Sequence, residues 1–543
     1  MNLSLLFAAL LAPLPAPGAE AQTAAVEVPA PSADPSAPAK PIFATTEQHS
    51  RGSVTVAGRR LAYQAVAGTL IVHAKEWLDT DPLEAAAGVE DKDKDKDDDK
   101  PKAEASMFYT AYFKDGAAYP SRPITFLFNG GPGSSTVWLH MGAFGPLRVQ
   151  TADGRHTPAA PYSVVNNDQS LLDASDLVFI DAPGTGFSRI AGKDKEKAFY
   201  GVDQDIDAFT QFITQFLSKY NRWNSPKYIF GESYGTMRAA GLALALQNQD
   251  VDLNGVILLS DILAWDLLPD DPQVNPGVDL PYVMALPTYA ATAWYHNRIA
   301  RPDGDLQSFL GRVESFATTE YLQALIKGGD LGDVERQRIA GQLSAFTGLP
   351  VAYLLKTNLR IEYGAFQKEL LADQEKTVGT LDTRFLGATL DPLSKVASYD
   401  PQSSAISAAY VGAFNNYVRG PLRYEPGIAF KSGISIYESW DYKHKPPGAE
   451  RPLIALPNVL PDLAAAMKQN PDLQVMVNGG YYDVSTPYFA GRYEMRHLPI
   501  PANLRGNIEY RYYESGHMVY AHPPSLKALH DSVAEFIHRT AVQ

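Results

Sequence analysis

Six short apolar runs dominate the sequence: Ile124–Phe128, Leu177–Ile180, Tyr228–Phe230, Gly255–Leu259, Val475–Val477 and Ile508–Tyr512. Each is too short for a buried helix, and most are apolar at consecutive positions. A strand of that kind is covered on both faces. Helical periodicity lies between several of them, as in Gln204–Ser218 and Met237–Gln247. Apolar strands alternating with helices predict an α/β chain with a mainly parallel central sheet. Ahead of this series, Ser53–Val56, Leu61–Val66, Thr69–His73 and Met107–Phe113 read as antiparallel hairpin strands. From about Ala264 to Ser432 the strand signal fades into helical stretches with many Pro and Gly breaks. Residues 264–432 are therefore read as a mostly helical cap inserted into a core of 44–263 and 433–543.

Composition narrows the chemistry. The 543 residues contain no Cys, so a thiol nucleophile, a thiolate zinc site and disulfides are excluded. With 47 Lys+Arg against 61 Asp+Glu the net charge is −14, and no long basic block is present. The phosphate neutralisation that nucleic-acid binding needs has no source here. No metal site and no cofactor are expected.

The N-terminus reads as an export signal over residues 1–21. Leu3 to Leu14 is apolar but too short to span a bilayer, and Ala19-Glu20-Ala21 offers small residues for cleavage. Residues 22–43 are an Ala/Pro-rich tether. No later stretch is long and apolar enough for a membrane span. The expectation is an exported protein, periplasmic or secreted. Glu90–Lys100, with seven acids and four lysines, is read as a charged, disordered loop.

The chemistry centres on Gly231-Glu232-Ser233-Tyr234-Gly235, set between a strand and a helix. That context gives G-x-S-x-G its meaning: a sharp turn lifts the Ser233 hydroxyl above the sheet, and the turn requires small neighbours. A serine needs a base, and the base needs an acid to orient it. Asp483 follows the run Val475–Val477, and His517 follows Ile508–Tyr512, each at a strand end. His522 is the nearest rival base and Asp472 the weaker rival acid; His530 and His538 are read as surface residues of the terminal helix. An oxyanion site needs two N–H groups. One is that of Tyr234; the other is sought in the Gly-rich loop Asn129–Ser135. Asp181–Ser188 is a second strand-end turn, structural or substrate-contacting.

The blocks NGGPGSS, DAPGTGFS, GESYG, NGGYYD and GHMV stand in the order of the serine carboxypeptidases, and the chain resembles that family from about Ile124 to its C-terminus. The resemblance implies an α/β-hydrolase fold and removal of C-terminal residues from a peptide substrate. It implies a triad of Ser233, Asp483 and His517, and an oxyanion hole of the Gly131 and Tyr234 amides. It also implies that Asn129 and Glu232 bind the terminal carboxylate, and that Met518 lines the leaving-residue pocket. Three positions depart from the family: Leu127 where Trp is usual, Ser134 where Cys is usual, and Ala143 where a second Glu is usual. A lone Glu232 is expected to lose its proton above roughly pH 5 to 6, close to a normal Glu. The alternative function is an esterase or acyltransferase of the same fold. Arg238, five residues past Ser233, is read as a surface or cap-facing residue, the alternative being a replacement charge for the carboxylate grip.

Overall fold

The computed structural model describes residues 42–75, 102–117, 121–267, 276–301, 304–451 and 456–541. The expected export signal, the tether up to residue 41 and the charged loop Glu90–Lys100 lie outside the described residues.

Ten strands form one sheet: β1 (Glu47–Val56), β2 (Arg59–His73), β3 (Glu104–Lys114), β4 (Ile124–Phe128), β5 (Asp176–Ile180), β6 (Arg189–Ala191), β7 (Lys227–Glu232), β8 (Gly255–Leu259), β9 (Gln474–Gly480) and β10 (Ile508–Tyr513). The order is β1-β2-β3-β5-β4-β7-β8-β9-β10, with β6 paired to β3. From β5 to β10 every pairing is parallel, while β1, β2 and β3 are antiparallel. All six apolar runs are strands of the parallel part.

Why the runs are apolar throughout follows from the packing. Side chains alternate across a strand, so each run feeds both faces. Phe126, Phe128, Ile229, Val256, Leu258, Val475 and Val477 enter one core. There they meet α1 (Val202–Lys219) and α2 (Tyr234–Gln247). Leu127, Phe230, Ile257, Leu259 and Met476 enter the other. Of the later helices, α3 (Leu280–Tyr295) lies in a third core, α4 (Pro401–Arg419) in the second and α5 (Leu460–Gln469) in the first. The second face of the sheet is covered by α4, by the turn Leu139–Phe144 and by the terminal helix α6 (Pro523–Thr540). The third core gathers the helices between Leu280 and Leu371 against Tyr481, Tyr482 and Tyr488. The helix α4 lies inside the expected cap range, yet it packs directly on the sheet.

One expectation is corrected. Leu61–Val66 and Thr69–His73 are not two strands but one, β2, which pairs with β3 from Tyr63 to His73. The glycine at position 68 does not interrupt it, because Ala67 and Gly68 continue the ladder opposite Gln48 and Glu47. Gly68 is there for space: a Cβ would fall on the Thr46 carbonyl oxygen. Gly68→Ala is therefore expected to destabilise the fold by about 1–3 kcal/mol, the usual range for overpacking. Urea unfolding of the variant checks this, and an unchanged midpoint would contradict it.

Candidate active site

Four parallel strands end side by side, and the candidate residues sit just beyond those ends. Ser233 follows β7, Ser260 follows β8, Asp483 follows β9 and His517 follows β10. The segment Leu259-Ser260 ties them together. The Leu259 carbonyl accepts from the Ser233 amide at 2.9 Å, and the Ser260 hydroxyl donates to the His517 carbonyl at 2.7 Å.

Ser233 itself is at φ +61° and ψ −133°, a conformation that L residues rarely adopt. The turn tolerates it because the flanking glycines leave room. A Cβ on Gly231 would fall on the Gly235 carbonyl, and one on Gly235 would lie 2.9 Å from the Phe128 carbonyl oxygen. The hydroxyl and amide of Thr236 both donate to the Ser233 carbonyl at 2.7 Å and start α2. Ser233 is half-buried, so its hydroxyl is reachable.

Asp483 is fully buried and His517 nearly so. His517 Nδ1 lies 2.7 Å from Asp483 Oδ2. The remaining acceptor capacity of Asp483 is used by the amides of Ser485 and Thr486 at 2.9 and 3.0 Å and by the Thr486 hydroxyl at 2.7 Å. With Nδ1 engaged by the acid, the ring presents Nε2 as its free acceptor in the neutral form. Burial opposes charging the imidazole, but the charge and hydrogen bond of Asp483 raise His517 above its ordinary value. A second buried acid, Asp261, follows β8; burial and the Asp483 charge push its carboxyl up to about 7. Of the two acids, Asp483 is the one in hydrogen-bond contact with His517. The rivals read from sequence stand elsewhere: His522 pairs with Ser525 at 2.8 Å, and Asp472 is exposed. His530 is not a surface residue as expected; it is buried between Asp173 and Asp531, at 3.3 and 3.0 Å.

The Gly-rich loop lies directly on the elbow. A Cβ on Gly130 would fall on the amide nitrogen of Tyr234, so only glycine allows this approach. Gly131 is at φ +109°, and its carbonyl accepts from the Tyr437 hydroxyl at 3.3 Å. An irregular strap, residues 431–441, holds the loop from outside. The Ile434 amide donates to the Gly133 carbonyl at 2.8 Å, and the Trp440 ring meets the Tyr234 ring edge-on at 5.4 Å. In the turn Asp181–Ser188, the Asp181 carboxylate accepts from the Thr136 amide at 2.8 Å. That turn supports the loop, which favours the structural reading of it. Ser134, where the family usually has Cys, accepts from the Trp138 indole at 2.9 Å. Leu127 is a core residue of β4, Ala143 is buried in the turn Leu139–Phe144, and Met518 is buried in the second core beside His517.

Glu232 is 2% exposed, and its hydrogen-bond partners are neutral: the Tyr520 hydroxyl and the Asn129 amide. Burial pushes its carboxyl up to about 7; His517, Tyr520 and Asn129 moderate that rise, and Asp483 adds to it. This corrects the expectation of a near-normal Glu: removal from water, rather than a second acid, holds the proton.

Sequence reasoning missed Arg238. It is fully buried, not surface or cap-facing. It donates to Asp205 of α1 at 2.7 and 3.2 Å and to the Asn129 carbonyl at 2.8 Å. It thereby fastens the Gly-rich loop from behind. The two charged partners are 33 positions apart on different helices, so no local spacing signals the pair. Removing one charge of such a pair strands the other. Arg238→Met is expected to cost about 3–5 kcal/mol, and Arg238→Met with Asp205→Leu to recover much of that loss. Calorimetric melting checks the pair; a double variant no better than the single one would contradict it.

Among the described residues no helix is long and apolar enough to cross a membrane. Residues 98–261 match the family model "Serine carboxypeptidase". A pheromone-processing carboxypeptidase KEX1 from Yarrowia lipolytica is 33% identical over 141 residues, 25% of this chain and 21% of that one. A retinoid-inducible serine carboxypeptidase from Homo sapiens is 30% identical over 151 residues, 26% of this chain and 29% of that one. The chain thus spans less than a third of the length of these relatives. The crystal structure of a prohormone-processing carboxypeptidase from Saccharomyces cerevisiae superposes with a TM-score of 0.50 at 14% identity, over 88% of this chain and 91% of that one. The fold is that of the α/β-hydrolases, with a mostly parallel sheet flanked by helices, and the segment 98–261 is similar to the serine carboxypeptidases.

Proposed function

We propose that this protein is a serine carboxypeptidase that releases C-terminal residues from peptides through an acyl-enzyme. Ser233 attacks the scissile carbonyl, His517 takes its proton and returns it to the leaving amine, and Asp483 holds the imidazole in the productive tautomer. The Gly131 and Tyr234 amides receive the oxyanion. Asn129 and Glu232 meet the terminal carboxylate, and Met518 borders the leaving residue. The observation that carries the exopeptidase reading is Glu232: a buried acid adjoining Ser233, whose hydrogen-bond partners are neutral. Such an acid can keep a proton to share with a second carboxylate. Residues 264–432 act as the cap, and residues 1–21 direct export to the periplasm or medium. The esterase or acyltransferase reading keeps the triad and drops the carboxylate contact; the apolar Ala143 is the observation in its favour.

Ser233→Ala is expected to abolish labelling by a fluorophosphonate and to lower kcat by several orders of magnitude, and Asp483→Asn to lower it on the order of 10⁴-fold with the fold intact. Full-rate labelling of Ser233→Ala would reassign the nucleophile.

The pH dependence separates the two readings. Two carboxyl groups hydrogen-bond only while one is protonated. With Glu232 up at about 7, kcat/KM for peptides with a free C-terminus is expected to fall above about pH 7. The base must be neutral, and the raised His517 sets the rising limb above the ordinary imidazole range. C-terminal amides and esters are expected to show the rise without the fall, and Glu232→Gln to remove the fall for acid substrates. Identical profiles for both substrate classes would support the ester reading instead.

A further inference from the structure

The environment of Glu232 contains a group that the mechanism above does not use. The Tyr520 hydroxyl stands 2.9 and 3.1 Å from the two carboxyl oxygens of Glu232. Tyr520 lies in the short helical turn Val519–Ala521, three residues past His517, and is 3% exposed. Tyr410 of α4 lies near enough to interact electrostatically with Glu232. A Cβ on Gly142 would lie 2.6 Å from the Tyr410 hydroxyl and 2.8 Å from the Tyr520 ring. Both phenols therefore pack on the turn Leu139–Phe144, which carries Ala143. Glu232 is the acid here, and the groups facing it are the phenols of Tyr520 and Tyr410, the Asn129 amide, His517 and Asp483.

We propose that Tyr520 is a positioning residue that sets the acceptance of substrates ending in a free carboxylate, its hydroxyl serving as the partner of Glu232 that a second acid would otherwise supply. The proposal rests on the reading that Glu232 meets the terminal carboxylate. A phenol does this differently from an acid. Burial and the Glu232 charge keep Tyr520 neutral well beyond the working range, so it always has a proton to donate and never competes for one. Its donation is strongest to the ionised form of Glu232. It therefore offsets part of the burial effect and brings the loss of the Glu232 proton down towards neutrality. It also touches both oxygens and so constrains the carboxyl plane.

The test is Tyr520→Phe, which keeps the ring and removes the hydroxyl. The falling limb of kcat/KM for free-carboxylate peptides is expected to move up by roughly one pH unit, the scale of one hydrogen bond to a charged group. The profile for C-terminal amides is expected to keep its shape. An unmoved limb, or an equal shift for both substrate classes, would overturn the proposal. The parent reading fails separately, if the wild type shows no falling limb specific to acid substrates or if Glu232→Gln leaves that limb in place. An infrared titration, following the carboxyl band lost in Glu232→Gln, reads the same shift without turnover; a band that titrates alike in wild type and Tyr520→Phe would also overturn it. Should Tyr520→Phe not fold, Tyr520→Leu carries the same expectations.

Discussion

A serine held at positive φ between a fully buried strand and an almost wholly buried helix sets the position of everything else at this site. The turn forms only where no neighbouring side chain intrudes, which accounts for Gly231 and Gly235 within it and Gly130 across from it. Once the elbow is in place, the amides at the start of α2 are uncovered and the Gly-rich loop can lie against them. The parallel order β7-β8-β9-β10 then brings the loops bearing Ser233, Asp483 and His517 to one end of the sheet. The candidate residues are thus brought together from far apart in sequence by strand ends rather than by any one loop.

Around that frame the electrostatics divide into two kinds. Asp483–His517 and Asp205–Arg238 are buried hydrogen-bonded pairs, the first an acid on an imidazole and the second an ion pair that fastens the loop. Glu232 and Asp261 are buried acids pushed up to about 7 by desolvation. The second kind is costly to ionise and correspondingly sensitive to which neutral groups touch it. That is why a phenol such as Tyr520 matters beside Glu232. The missing second acid at Ala143 does not leave a lone carboxylate in water; it leaves a buried carboxyl group held by a phenol and an amide.

Much of the fold is legible in the sequence because its signals are local. The six apolar runs and the helix periods of Val202–Lys219 and Tyr234–Gln247 are properties of contiguous residues. The elbow is legible for the same reason. Gly68 misleads because glycine usually interrupts a strand, whereas here it admits the Thr46 carbonyl. Arg238, Tyr520 and the strap at 431–441 are not legible. Their partners, Asp205, Glu232 and the Gly-rich loop, are far away in the chain, 33 positions for Arg238 and 288 for Tyr520, and the strap has no periodicity to announce it. The raised Glu232 cannot be anticipated either, since burial of a polar residue at a strand end is a property of what packs over it.

If Ser233 releases residues from the C-terminus, mass spectrometry of a peptide incubated with the protein reads that release step by step. A ladder shortened one residue at a time from the C-terminus and absent with Ser233→Ala is the predicted result. Internal cleavage, loss from the N-terminus, or an identical ladder with Ser233→Ala would contradict it.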